Sequence, residues 1–175
     1  MVGMKRTNDA EPQVLSPLAQ AIGKRHPFEL AEEELYVNLL RTVDQLSQRV
    51  TKLLGQYDLS ESLYNSLRIT AGERHSYPDG IPVGLISQRL VCRQPDTTRL
   101  VDRLESLGYV ERNACELDAR RRLIRATDAG LAILKQLQKP LANIHREQFG
   151  GLTERKVKSL NSVLDLIRSS MSQEG

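Results

Sequence analysis

The sequence predicts a mainly α-helical fold with one small β-hairpin: a winged helix-turn-helix flanked by longer helices. Three observations predict it. Apolar residues recur at three- and four-residue steps over most of the chain, which is the period of a half-buried helix. Two short helical segments, near 82–91 and 95–107, are separated only by a tight joint. Behind them two short β-patterned runs, 109–112 and 123–126, frame a polar connection that contains Arg120, Arg121 and Arg122.

Composition sets the outer limits. The chain has 175 residues, a length suited to one domain with an appendage. Charged residues make up 27% and hydrophobic residues 39%, ordinary globular usage. Two cysteines without CxxC spacing exclude a disulfide scaffold and a multi-cysteine zinc site. The three histidines lie far apart, and none has a second ligand-type residue at metal spacing, so no metal or other cofactor is expected. No apolar run reaches the roughly 18 residues that a membrane helix needs. The N-terminus, MVGMKRTNDAEP, carries no apolar core of a secretory signal. A soluble, reduced, cytoplasmic protein without a membrane partner is the expectation.

Residues 1–30 read as a flexible N-terminal arm, with Pro12, Pro17 and Pro27 and no clear period. A first long helix should begin at Ala31, where Glu32, Glu33 and Glu34 suit the positive end of the helix dipole. Its stripe runs through Leu35, Leu39, Val43, Leu46, Val50, Leu53 and Leu54, and Gly55 ends it. Ser60 should cap the next helix, with Leu63, Leu67 and Ile69 facing inward. The cluster Arg74 to Gly80 is a breaker. Pro82 opens a short helix through Val91, carrying Leu85, Ile86 and Leu90.

Pro95 fits the first position of the following helix, because its missing N–H would be unpaired there. Leu100, Val101, Leu104 and Leu107 then share one face, and Gly108 stops the helix. Residues 113–122 form a ten-residue connection between the two expected strands, long for a hairpin. Thr127 or Asp128 should cap another helix through Leu131, Leu134, Leu137, Leu141 and Ile144, which Pro140 should kink or divide. Gly150-Gly151 breaks the chain, and Thr153 caps a last helix with Val157, Leu160, Val163, Leu164 and Ile167.

Net charge is only +3, but it is unevenly placed. Segments 29–57 and 58–88 are each −2, whereas 89–125 holds nine basic residues against six acids, and all nine are arginine. Arginine is suited to phosphate forks and base edges. The helix from Pro95 buries leucines and leaves a polar N-terminal end, the part that enters a major groove in helix-turn-helix proteins. Thr97 and Thr98 can bond bases or touch a thymine methyl, and Arg99 can reach guanine or phosphate. Ser87 and Arg89 on the preceding helix can bind phosphate. Gln94 is placed to cap the helix or to read a base. Arg120, Arg121 and Arg122 suit a narrow, negative minor groove or its phosphates. Asp118, two residues before Arg120, shares its side of an extended chain and can steer it.

These residues carry a family resemblance. The segment DARRRLIRATDAG, Asp118 to Gly130, resembles the wing signature of the MarR family of transcriptional regulators, with Asp118, Arg120, Thr127 and Gly130 in place. PDTTRLVDRLESLGYVER, NLLRTVDQL and SLYNSLRI are similar to the family as well, and the likeness extends over residues 31–170. Ala126 departs from it, standing where the family more often has Leu. The resemblance implies a winged helix-turn-helix plus a helical dimerisation domain, with a DNA-binding core at 59–127 and dimerisation helices at 31–56 and 128–172. It implies a homodimer on a pseudo-palindromic double-stranded operator, with half-sites about 34–36 Å apart. It also implies a repressor released by a small phenolic or carboxylate effector, for which Tyr36, Tyr64 and Arg68 are candidate contacts.

Two other readings compete. A winged helix can serve as a protein–protein module without DNA, but such a module needs neither an arginine wing nor a polar recognition-helix end. An enzyme would need a site, and there is no Gly-rich phosphate loop, metal-ligand cluster or GxSxG elbow. Cys92 and Cys115 could sense oxidants, although Cys92 reads better as a small core residue at a helix end.

Overall fold

The computed structural model describes residues 14–92, 94–115 and 118–171, and the side chains of 115 and 118–121 lie outside that description. The chain divides into two compact units, Met1–Ser47 and Gln48–Gly175. The division falls inside a helix.

In the first unit, part of the segment expected as an arm is helical. Helix α1, Pro17–Ala21, starts with proline where a missing N–H costs nothing. Ser16 caps it by accepting a bond from the Ala19 amide, and Leu18 and Ala19 are buried. Helix α2, Ala31–Gly55, opens with the three glutamates and crosses into the second unit. In the first unit its Leu35, Tyr36, Leu40 and Val43 are all exposed.

In the second unit, the end of α2 contributes buried Leu54, then Asp58 adopts a left-handed backbone with φ 56° and turns the chain. Helix α3, Glu61–Gly72, is capped as expected by Ser60, which accepts from the Leu63 amide at 3.2 Å. Strand β1, Ile81–Pro82, was not apparent in the sequence; two residues show no period. Helix α4, Val83–Arg89, follows directly, and helix α5 spans Thr97–Ser106. Strands β2, Val110–Cys115, and β3, Asp118–Ala126, complete an antiparallel sheet in the order β1-β3-β2. Helix α6, Asp128–Gln148, is capped by Thr127, and Pro140 sits inside it without ending it. Helix α7 is Glu154–Met171.

The core gathers Leu54, Leu63, Leu67, Ile81, Ile86, Val101, Leu104, Val110, Ile124, Leu137 and Leu141. It therefore fixes α5 and the sheet onto α3, α4 and α6. Two glycines permit this closeness. A Cβ on Gly130 would lie 2.2 Å from the Tyr109 carbonyl oxygen. One on Gly80, whose φ of 112° already disfavours a side chain, would lie 2.8 Å from the Ile124 oxygen. Helix α7 contributes nothing to the core: none of its residues is buried, and Leu160, Val163 and Leu166 are exposed. No helix among the described residues is long and apolar enough to cross a membrane.

Candidate nucleic-acid interface

Helix α5 presents its polar end through its cap. Asp96 lies just before the helix and accepts a bond from the Arg99 amide at 3.1 Å. The cap is thus Asp96, not Gln94, which is half-buried, and Pro95 lies outside the helix. A carboxylate satisfies an otherwise unpaired amide and favours the positive helix end at once. The same carboxylate pairs with Arg99 Nε at 2.9 Å. The Arg99 side chain is nevertheless 85% exposed. An exposed pair of this kind contributes only about 0–1 kcal/mol, so the guanidinium can exchange its partner for a phosphate or guanine.

The two threonines part company. Thr97 is 7% exposed, and with Val101 and Leu104 it forms the buried stripe at positions i, i+4 and i+7. This corrects its assignment as a groove contact: its side chain belongs to the core. Thr98, one residue on, is exposed with Arg99, Asp102 and Arg103. On α4, Ser87 is exposed. Arg89 is exposed too, but its guanidinium pairs with Glu73, so a phosphate would have to compete for it. Cys92 is exposed in the bend beyond α4, not buried as its apolar neighbours suggested; the helix ends at Arg89, before its inward face reaches the cysteine.

The wing is longer in strand and shorter in loop than expected. The register runs from Val110 opposite Ala126 to Ala114 opposite Arg122, and then shifts so that Cys115 faces Asp118. Most of the ten-residue connection therefore lies on β2 and β3. Polar, arginine-rich strands lack the apolar alternation by which strands are recognised. Asp118, Arg120, Arg121 and Arg122 all lie on β3. Arg122 is exposed, while the side chains of Asp118, Arg120 and Arg121 are outside the described set.

One residue that sequence reasoning missed ties these parts together. Arg112 stands opposite Ile124 on β3 and so shares the inward face of that buried residue. Its guanidinium reaches α5, where it bonds both Asp102 and Glu105, one turn apart. The bond to Asp102, against an opposing cost of burial and with help from Glu105, raises the Arg112 pKa above its ordinary value. The available signal was an i, i+3 acidic pair on a helix otherwise rich in arginine, followed by an arginine two residues after an inward-facing valine.

Of the candidate effector contacts, Tyr36 is exposed on α2 in the first unit. Tyr64 and Arg68 are together on α3, with the guanidinium 5.8 Å from the ring centroid, a cation–π distance. Burial raises the Tyr64 phenol pKa, and the Arg68 charge partly opposes it.

The chain matches no protein-family model. It is 26% identical over 129 residues to the HTH-type transcriptional repressor IacR of Pseudomonas putida, spanning 74% of this chain and 74% of that protein. The structure of MepR from S. aureus in complex with DNA superposes with a TM-score of 0.65 at 21% identity, over 77% of this chain and 97% of that one. At that identity the likeness concerns the fold. A MarR transcription factor from Planctomyces limnophilus is closer in sequence, at 34% identity, with a TM-score of 0.59 over 79% of this chain and 98% of its own. That identity, held across nearly the whole of the relative and across the helix, joint, helix and wing described above, places the protein in the MarR family of transcriptional regulators.

Proposed function

We propose that the protein is a homodimeric, sequence-specific regulator of transcription that represses by binding a pseudo-palindromic operator in double-stranded DNA and is released by a small phenolic or carboxylate effector. One observation carries the DNA reading: Thr98 and Arg99 are exposed on the first turn of α5, while an arginine run lies on β3, the partner of the strand that packs on α5. Thr98 and Arg99 read the major groove. Arg120 enters the minor groove, steered by Asp118, and Arg121 and Arg122 meet phosphates. The DNA complex of MepR and the naming of IacR as a repressor support this reading. The DNA-binding core takes in residues 59–127.

Dimerisation uses helices 31–56 and 128–172. Support comes from the exposed apolar residues of α7 in the second unit and those of α2 in the first. An effector with an anionic or phenolic group is favoured by Tyr64 and Arg68, a half-buried phenol beside a cation. The protein acts where its DNA is, in the cytoplasm.

Titration of random duplex DNA at two salt concentrations tests the first claim. The expected loss is about 0.9 log unit of affinity per log unit of salt for each phosphate neutralised. A flat response refutes DNA binding and favours a protein–protein module. Arg120→Ala should then weaken binding to a selected operator by roughly 1–3 kcal/mol without dissociating the dimer. A folded variant with unchanged operator affinity removes the wing assignment.

A further inference from the structure

Within the second unit, the end of α5 and the start of α6 meet at one residue. Helix α5 ends in a Schellman turn, which Gly108 permits with a φ of 73°. The Gly108 amide bonds the Glu105 carbonyl at 2.8 Å, and the Tyr109 amide bonds the Leu104 carbonyl at 2.9 Å. The next two carbonyls, of Gly108 and Tyr109, lie beyond the helix and need partners of their own. Thr127 supplies both. Its hydroxyl donates to the Gly108 oxygen at 2.6 Å, and its amide donates to the Tyr109 oxygen at 3.1 Å.

The same hydroxyl opens α6. Its oxygen accepts from the Gly130 amide at 3.1 Å, while the Thr127 carbonyl accepts from the Leu131 amide at 2.9 Å. A hydroxyl has one proton to give and two lone pairs with which to receive, so it serves both helices at once. There is little slack around it. Val110 pairs with Ala126 beside the joint, and Gly130 lies against the Tyr109 carbonyl. The end of α5, the base of the wing and the start of α6 therefore meet at one side chain.

Two holds on α5 differ in kind. Val101 and Leu104 bury its inward face in the core, but apolar burial is non-directional and leaves a helix free to tilt. The bond from Thr127 to Gly108 is directional, and it acts at the end of α5 opposite Thr98 and Arg99. Thr98 lies about 15 Å along the helix from Gly108, so a tilt of about 5° moves it by about 1 Å. That exceeds the roughly 0.5 Å over which a good hydrogen bond varies.

We propose that Thr127 is a positioning residue for DNA recognition: its hydroxyl holds the end of α5 to the start of α6 and so aims Thr98 and Arg99 at base edges. This role rests on the DNA-binding reading above. Because α6 is one of the helices proposed to form the dimer, the same bond sets the recognition helix relative to the second subunit.

Three substitutions separate the two jobs of the hydroxyl. Thr127→Ser keeps donor and acceptor. Thr127→Asp keeps the helix cap, where aspartate serves at least as well as threonine, but has no proton for the Gly108 carbonyl. Thr127→Val keeps the branched shape and loses both. Fluorescence anisotropy measures affinity for a selected operator and for random duplex, at a temperature where every variant is folded, so lost stability does not enter. The readout is the ratio of the two affinities, in which uniform repulsion of phosphates by an added carboxylate cancels.

Thr127→Ser should match the unaltered protein in melting temperature and in that ratio. Thr127→Asp and Thr127→Val should both lower the ratio at least about fivefold, the scale of one hydrogen bond, although only Thr127→Val loses the cap and melts clearly lower. A ratio unchanged in either of those two overturns the proposal, and so does an equal loss in Thr127→Ser, which retains the hydroxyl. Should Thr127→Asp not fold, Thr127→Ser against Thr127→Val decides alone. If the unaltered protein fails to bind random duplex at low salt, the DNA-binding reading falls and this role falls with it. Binding by the unaltered protein with no change in any variant overturns this role alone.

Discussion

Arg112 offers the most informative perturbation, because it touches the recognition helix and the wing without belonging to the surface expected to meet DNA. Arg112→Met keeps most of the side chain's apolar stem and removes only the charged fork. The Arg112 side chain is 24% exposed, but its partners Asp102 and Glu105 are 57% and 39% exposed. Solvent therefore screens both pairs, and each is discounted to about 0.5 kcal/mol, within the range measured for surface ion pairs. Together they contribute about 1 kcal/mol, which for a chain of this size corresponds to a fall in Tm of about 2–4 °C. The coupling between Arg112→Met and Asp102→Asn in a double-mutant cycle should be about 0.5 kcal/mol.

The effect on DNA binding should exceed the effect on stability. Among the described residues no other hydrogen bond or ion pair joins β2 to Asp102 and Glu105; the core still holds the base of β2 against α5, but without the fork the wing beyond Arg112 loses its polar tie to the helix. The limit is the loss of one well-placed arginine contact, roughly 1–3 kcal/mol. Affinity for a selected operator should fall about tenfold, equivalent to about 1.4 kcal/mol. Binding to random duplex should change less, because phosphate attraction tolerates a misplaced wing. Arg112→Lys should restore part of the thermal stability but little of the operator affinity, since an ammonium on a flexible stem lacks the rigid planar fork that sets the strand against both carboxylates. Thermal melts and fluorescence anisotropy on both duplexes measure these quantities. A variant that melts lower yet binds operator and random DNA unchanged would reduce Arg112 to a stabilising residue. A coupling energy near zero would refute the network itself.

Five other substitutions, in three comparisons, probe other parts of the fold. Gly130→Ala should cost at least about 1–3 kcal/mol by overpacking against the Tyr109 backbone, whereas Gly84→Ala, in open space on exposed α4, should gain roughly 0.5–1 kcal/mol; equal melting temperatures for the two variants would contradict the close approach at Gly130. Thr98→Ala should lose about 1–3 kcal/mol of base discrimination at one operator position, while Thr97→Ala should lower stability and leave discrimination intact; selection of bound sites from a random pool, beside calorimetric melts, separates the two. Leu160→Asp should convert the dimer to monomer, because it places a charge on an exposed apolar face of α7; sedimentation showing an unchanged dimer would take α7 out of the interface.

The helices were legible because their sequences repeat one signal many times. Ala31 to Gly55, the Ser60 cap and the Thr127 cap all follow from stripes and side-chain oxygens that act locally. The strands were less so. β1 has two residues, too few for any period, and it exists because Ile81 finds Ile124 across the sheet. The paired part of the wing hides behind Arg120, Arg121 and Arg122, whose polarity reads as loop. Its strand character is fixed by partners on β2, which no single window of sequence contains. Likewise, Pro17 reads as a breaker but supplies the first position of α1 once Ser16 has capped it.

The site shows the same division more sharply. That α5 carries a polar N-terminal end is a property of its own sequence; which threonine is offered to a partner is not. Thr97 and Thr98 are chemically identical, and one helical step of about 100° decides between core and groove. The deciding fact is that Val101 and Leu104 anchor the stripe, so the position four residues before Val101 must turn inward with them. A start assigned at Pro95 left both hydroxyls apparently free, whereas the Asp96 cap fixes where the first turn begins and hence which hydroxyl faces out. Arg112 escaped for a related reason. Its importance depends on two acids in another element, and only strand register, set by the Ile124 pairing, aims it at them. Individual DNA contacts can thus be nominated from residue type, but the residues that hold those contacts in register emerge only once cap, stripe and strand pairing are known together.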